Sequence, residues 1–232
     1  MVSRPAVAPT ETEPRPRLDR DRVLRAALEV ADEGGLGSLT IRSLAEALGV
    51  KPMSVYHHVA GKEAILDGIV DLVFAEIELP AGDGSWRAEM QARASSARAV
   101  LRRHSWAIAL MESRRSPGAA SLRHHDAVLA SLAAGGFPID LAGHAYALLD
   151  SYVFGFALQE AGLPVERTDG VGELADAVMA GFEPGQYPHL ARLATEVVMK
   201  PGYDFGAEFD FGLGLVLDGL EDRLEAATGA RN

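Results

Sequence analysis

Between residues 39 and 66 the chain runs LTIRSLAEALGVKPMSVYHHVAGKEAIL, three helical patterns in succession with almost no loop between them. No other stretch constrains the fold as tightly. Thr40 stands where an N-cap hydroxyl accepts from an orphan N–H of the next turn, and Leu44, Ala45 and Leu48 then share one apolar face at helical spacing. Gly49 ends that helix, since glycine takes a positive φ without a Cβ penalty, and Val50 can fold back onto it. Pro52 suits a first helical position, because its missing N–H would be unpaired there and its φ is already helical. The second helix is therefore short, 52–58, with Val55 and Val59 inward against Leu44 and Leu48.

The outward set of that second helix is Met53, Ser54, Tyr56, His57 and His58, a mixture unusual for a plain solvated face. It suits a base-reading one. Pro52 and Met53 can meet thymine methyls in a major groove, Ser54 can bond a base edge or phosphate, and Tyr56 and the histidines can donate to the backbone. Arg42, Lys51 and Lys62 all sit at helix starts, where a cation opposes the helix dipole and is better matched by phosphate. The stretch reads as a DNA-binding helix-turn-helix; the plainer alternative is a three-helix unit used only for packing.

Over its whole length the run 40–66 resembles the DNA-binding signature of the tetracycline-repressor (TetR) family of bacterial transcription regulators. That resemblance implies that Arg42, Lys51, Pro52, Met53, Ser54, Tyr56, His58 and Lys62 touch DNA.

An acidic pI of 5.1 and a net charge of −11 would argue against nucleic acid, but the charge is unevenly placed. Residues 1–62 hold nine Lys or Arg against eight Asp or Glu, and residues 63–232 hold thirteen against twenty-five. The acid lies away from the DNA-facing end, so non-specific DNA binding should be weak. A purely architectural DNA protein would need a basic balance that this chain lacks. With 48% apolar residues the chain is globular, and its 232 residues suffice for a small domain plus a larger one. The absence of cysteine excludes disulfides, thiolate zinc sites and thiol catalysis, and is compatible with a reducing cytoplasm. The first residues show no apolar leader, and no apolar run approaches the roughly 18 residues of a membrane span, so a cytoplasmic protein without membrane contact is expected.

Taken in order, residues 1–18 read as a disordered arm, with Pro5, Pro9, Pro14 and Pro16 and no apolar period. Arg4, Arg15 and Arg17 could reach a minor groove from it or merely be solvated. The DNA-binding domain follows at 19–62. Its first helix begins near Asp19 or Asp21, buries Leu24, Ala27, Leu28 and Ala31, and ends at Gly34, Gly35 and Gly37. Residues 63–232 form the second domain. A connector helix, 62–78, turns Ile65, Leu66, Ile69, Val70, Val73 and Ile77 inward, and further helices are predicted over 86–103, 105–115, 117–134, 138–161, 171–181, 187–199 and 204–227. No period-2 pattern stands out. The fold class is all-α.

Two of these helices are apolar nearly all round and need two burying partners each. The first carries Leu141, Ala145, Leu148, Tyr152 and Phe156 on one side and Tyr146, Leu149, Val153 and Ala157 on another. In the last, Phe205, Phe209, Leu213, Val216, Leu220 and Leu224 form one stripe, with Phe211, Leu215 and Leu217 off it. A monomer core and a symmetric interface both account for this pattern. Here FDFGLGLVLDGLE, residues 209–221, resembles the closing helix of the tetracycline-repressor subgroup, which implies a homodimer through a four-helix interface including Leu141, Leu148, Phe156, Phe209, Leu213, Val216 and Leu220.

Other chemistry is thin. His57 with His58 and His124 with His125 are adjacent pairs, whereas helical ligands to one metal want i, i+3 or i, i+4 spacing, so neither metal nor cofactor is expected. A nucleophile elbow is absent, and Gly212-Leu213-Gly214 follows no strand. An enzyme would need convergent titratable groups, and a binding protein without regulated DNA release is the other alternative. A ligand-responsive transcription regulator, most simply a repressor on a palindromic operator, fits best. Its effector pocket is expected to be apolar with few polar groups: Trp86, Met90, Trp106, Leu110, Met111, Tyr146, Tyr152, Phe154 and Gln159, with Arg93, His104 and His144 as polar anchors. The positions with which tetracycline-binding members grip the drug and its magnesium hold Glu78, Leu110 and Arg93 here, so the resemblance does not extend to that ligand.

Overall fold

The computed structural model describes residues 17–229 except 83, 112, 114, 115, 165–167 and 184; Arg4 and Arg15 of the expected arm lie outside them. Among the described residues there are helices and no strands. Helices α1 (Arg20–Ser38), α2 (Ile41–Leu48) and α3 (Pro52–Tyr56) make the first unit. Asp19 caps α1, its carboxylate accepting from Arg22 N at 2.8 Å. The glycine run does not simply end this helix as expected. Gly35 alone takes a positive φ of 70°, and a further turn continues to Ser38, whose hydroxyl donates to the Gly35 carbonyl at 2.7 Å and the Val30 carbonyl at 3.0 Å.

Helix α4 (Lys62–Glu76) belongs to two hydrophobic cores. Its first half sends Ile65, Leu66 and Ile69 among Leu24, Ala27, Leu44, Leu48, Val55 and Val59. Its second half sends Val70, Val73 and Phe74 into the core of the larger unit, where Ile77 follows. That unit contains α5 (Trp86–Arg103), a 3-10 turn Ser105–Ala107 leading into α6 (Ile108–Met111), α7 (Ala119–Ala134), α8 (Ile139–Gly162), α9 (Val171–Met179), α10 (Pro188–Leu193) and α11 (Glu208–Gly229). His104 leaves helical geometry, with φ −117° and ψ 52°, and the helix expected over 105–115 is instead a 3-10 turn that becomes α-helical only over Ile108–Met111. Likewise, the helix expected over 187–199 opens after α10 into a wide π turn, Ala194–Val198. Neither α9 nor α10 has a fully buried residue, so both lie on the outside of the unit.

Helices α5, α8 and α11 are tied by matched groups. The Arg98 fork donates to both Glu160 oxygens, at 2.9 and 2.7 Å, while its guanidinium lies over the rings of Phe156 and Phe209 at 5.0 and 4.8 Å. The Tyr152 hydroxyl donates to the Phe209 carbonyl at 2.9 Å, and a Cβ on Gly212 would stand 2.3 Å from that hydroxyl. Only glycine admits so close a crossing. The buried stripe of α11 runs Phe209, Leu213, Leu217 and Leu220, which corrects the expectation that Leu217 lies off it and leaves Val216 only half-buried. Val216 and Leu217 lie three and four residues from Leu213, both at helical spacing, and packing within the chain covers Leu217.

Candidate nucleic-acid interface and effector site

The helix-turn-helix is assembled by local signals. The Thr40 hydroxyl accepts from Ser43 N at 3.0 Å and the Ser43 hydroxyl from Thr40 N at 3.0 Å, a reciprocal cap. At the other end Gly49 is left-handed, with φ 65°, and Val50 N donates back to the Ala45 carbonyl at 2.9 Å. Pro52 then opens α3 at its first turn. The consequence is a short helix with Val55 fully buried and its other side bare. Met53 is 68% exposed and Tyr56 49%, although both are large and apolar enough to prefer a core. Arg42, Lys51, Pro52, His57 and Lys62 are exposed, and Ser54 and His58 half-buried; the last two histidines stand in the turn after α3 rather than on it. Every residue named for DNA contact is therefore accessible.

The residues named for effector contact divide. Trp86 packs edge-on against Phe137 at 4.8 Å and over Gly135, where a Cβ would meet the indole at 2.8 Å. Met90 and Phe154 are buried, and Leu110 packs against both cores. Met111 lines a cavity of about 210 Å³ with Val70, Phe74, Ser121 and His125. Beside that cavity, the Tyr146 hydroxyl lies 2.8 Å from His125 Nδ1. The structure does not bring the others there. His144 and Gln159 are on the surface, and Tyr152 serves the α8–α11 crossing. His104 and Trp106 belong to the junction of the two units: Asp32 of α1 lies 2.7 Å from His104 Nδ1 and accepts from Trp106 Nε1 at 2.7 Å. Glu76, at the end of α4, faces His104 Nε2 at 3.2 Å and accepts from Arg103 at 2.6 Å. Burial raises the Glu76 pKa, but the hydrogen bonds from Arg103 and His104 outweigh it and hold the carboxyl below its ordinary value.

Arg93 is at the centre of a buried polar group. It donates from Nη2 to Asp150 at 2.5 Å, and from Nε and Nη2 to His124 Nε2 at 3.1 and 2.9 Å. Burial above all, then the charges of Arg93 and His125, push the His124 pKa down to about 3. The ring stays neutral. Neither His124 nor Asp150 was expected in the site. The adjacent pair His124-His125 was weighed only as metal ligands, and the structure shows why that spacing divides them: His124 turns to Arg93 and His125 to Tyr146. Among the described residues no cluster of ligating side chains could hold a metal ion.

A helix-turn-helix joined through a shared helix to a larger all-helical unit with a polar group buried in its apolar core defines a class, that of DNA-binding regulators with a sensing domain. Residues 23–69 match the family described as bacterial regulatory proteins, tetR family, and residues 79–224 match the tetracyclin repressor-like C-terminal domain. The chain is 36% identical over 217 residues to the HTH-type transcriptional repressor DrrR1 of Streptomyces coeruleorubidus, covering 90% of this chain and 79% of that one. It is 30% identical over 210 residues to the class A tetracycline repressor protein from transposon 1721 of Escherichia coli, with 89% and 92% covered. Among solved structures, Streptomyces coelicolor ActR in complex with actinorhodin superposes with a TM-score of 0.73 at 25% identity, covering 88% of this chain and 96% of that one. The protein belongs to the TetR family: it is a ligand-responsive transcriptional repressor, not an enzyme.

Proposed function

We propose that the protein binds a palindromic operator as a homodimer in the cytoplasm and is released when a small, lipophilic, aromatic molecule enters the unit of residues 63–232. The observation that carries this reading is α4. Phe74 borders the cavity of about 210 Å³, while Ile65, Leu66 and Ile69 of the same helix lie in the core that seats Val55 of α3. A molecule that shifts α4 at one end must move the reading helices at the other, provided it binds the shifted state more tightly, since equal affinity for both states moves nothing. That ActR was solved with actinorhodin supports an aromatic effector class. Tetracycline with its magnesium is not the effector proposed, because Arg93, at one of the drug-gripping positions, is committed to Asp150.

The dimer reading is supported by apolar side chains that one chain leaves bare on α8 and α11: Leu148, Phe211 and Leu215 are 47, 68 and 59% exposed. Phe156, Phe209, Leu213 and Leu220 are already covered within the chain, so the second copy meets the opposite face of α11, with half-buried Leu141 and Val216 at its edge. A twofold dimer sets its reading helices about 34–36 Å apart, one turn of DNA. The test is a band shift on the chain's own promoter DNA, titrated with aromatic and polyketide-like compounds. Compounds that bind yet leave operator occupancy unchanged would sink the release mechanism, and sedimentation of the native protein as a stable monomer would sink the dimer.

A further inference from the structure

Helix α7 begins without a cap of its own. Where α1, α2 and α5 take theirs from the residue before them, Asp19, Thr40 and Ser85, the cap position of α7 is Gly118, and no acidic residue stands in its first turn. The missing acceptor comes from another helix. The Asp71 carboxylate of α4 accepts from Ser121 N at 2.8 Å. It takes one of the orphan donors that an N-cap side chain would take, and it places an anion at the positive end of the helix.

Gly118 is fitted to that arrangement. Its φ of −80° and ψ of 179° are open to any residue, so the backbone does not ask for glycine. Space does: the three nearest atoms that a Cβ there would meet all belong to the Asp71 carboxyl, and it would overlap them. A serine at 118 facing a small residue at 71 would cap α7 locally, so the stability of α7 alone does not account for the pair.

One turn further along both helices, the Phe74 ring lies 5.5 Å from that of His124 and 5.4 Å from that of His125. Such contacts tolerate sliding, since apolar burial has no direction, whereas a hydrogen bond weakens steeply as its angle closes. The cap therefore fixes the rotation and height of α4 against α7 more sharply than the packing around it. At its other end α4 carries Ile65, Leu66 and Ile69 in the core that seats Val55 of α3.

We infer that Asp71 is a positioning residue for operator binding: its bond to the first turn of α7, with Gly118 making the room, sets the register of α4 and through it the pose of the reading helix. This rests on reading α4 as the element that carries movement to α3. Without the bond α4 samples a wider range of tilts, only a fraction of which present α3 correctly, and operator affinity falls by that fraction.

The experiment uses the full chain and a duplex that the native protein selects from random sequence. Asp71→Ala should lower operator affinity about 3–10-fold with the salt slope unchanged, since no phosphate contact is lost, and lower the melting temperature by about 2–4 °C. Asp71→Asn, which keeps an acceptor for Ser121 N, should stay within about twofold of native affinity. Asp71→Ala with Gly118→Ser separates the two roles, because it gives α7 a cap that does not reach α4. Its melting temperature should return to the native one while its operator affinity stays low. Gly118→Ala alone should be destabilising, and near neutral once Asp71→Ala removes the carboxyl. Native affinity in Asp71→Ala, or recovery of affinity together with melting in the double variant, would overturn the inference. So would a Gly118→Ala cost that is the same in both backgrounds. Should Asp71→Ala not fold, the locally capped double variant decides alone. If the native protein selects no duplex, the repressor reading fails instead, and amide exchange decides the link. Residues 70–77 should then exchange faster in the double variant than in the native chain, and equal rates would overturn it.

Discussion

The reading helix α3 and the Arg93–His124–Asp150 group are opposite ways of building a polar site. On α3 the groups face outward, and their positions follow from signals within a few residues: a reciprocal cap at Thr40 and Ser43, a left-handed Gly49, a proline at the first turn. In the larger unit the groups face inward, and they meet only because α5, α7 and α8 come together, with Arg93 reaching His124 across 31 positions and Asp150 across 57. Local signals build a surface cheaply and leave its chemistry replaceable. A buried site made by long-range pairing is part of the fold, so its chemistry cannot change without touching stability.

That contrast can be broken by experiment, most forcefully at Arg93. Arg93→Ala strands the Asp150 carboxylate in the interior and should lower unfolding stability by about 3–5 kcal/mol, read from denaturant midpoints, whereas Arg93→Met with Asp150→Leu should cost far less. An Arg93→Ala protein as stable as the native one would show that the group is dispensable to the fold. The next effect is a pH dependence. The His124 pKa is depressed from 6.5 to about 3 in the folded protein, so as pH falls through that window the unfolded chain binds a proton that the native one refuses. Stability should therefore drop toward acid by up to about 1.4 kcal/mol per pH unit from this ring, and His124→Phe should remove that slope.

Smaller again is Thr40→Ala, which removes the reciprocal cap of α2 and should cost about 1 kcal/mol of stability. On the reading face itself, Tyr56→Ala and Lys62→Ala should change stability by no more than about 0.5 kcal/mol, as surface substitutions usually do. Each should instead weaken operator binding across sequences and lower the log–log salt slope by about one unit. Met53 and Ser54 substitutions should alter which operator is preferred, by about 1–3 kcal/mol at the affected base pair. If Met53 and Ser54 changes cost the same on operator and on random DNA, their base-reading role is lost.

How far the sequence could be read follows the same division. The bounds of α2, the start of α3, and Val55, Val59, Ile65 and Ile69 as inward residues were all legible, because caps, glycine and 3.6-residue spacing are local facts. Trp86 and Arg103 bound α5 where the pattern placed them, behind the Ser85 cap. The interior was legible only as a list of candidates. Arg93 was expected as an anchor, but nothing near it in the chain announces Asp150, and a carboxylate on an otherwise apolar helix looks the same whether it points to solvent or to an arginine. His104 misled for a related reason: its partner Asp32 lies 72 positions away. The stripe of α11 slipped at one residue because Val216 and Leu217 are both apolar, and only the facing helix selects between them.

The double membership of α4 bears on how such proteins can diversify. A boundary between modules normally falls in a loose linker, where recombination can cut without harm. Here the seam passes through the middle of one continuous helix, with the buried side chains up to Ile69 in one core and those from Val70 in the other, while half-buried Leu72 still packs on the first. A chimera that joins this reading head to a foreign sensor must therefore inherit half of α4 from each parent with the helical phase kept, or carry the whole helix and re-dress its far end at Val73, Phe74 and Ile77. Recombination is thus constrained by rotation about a helix axis. A junction one residue short would swing the far half by about 100° and present Asp71 where the core is made for Val70.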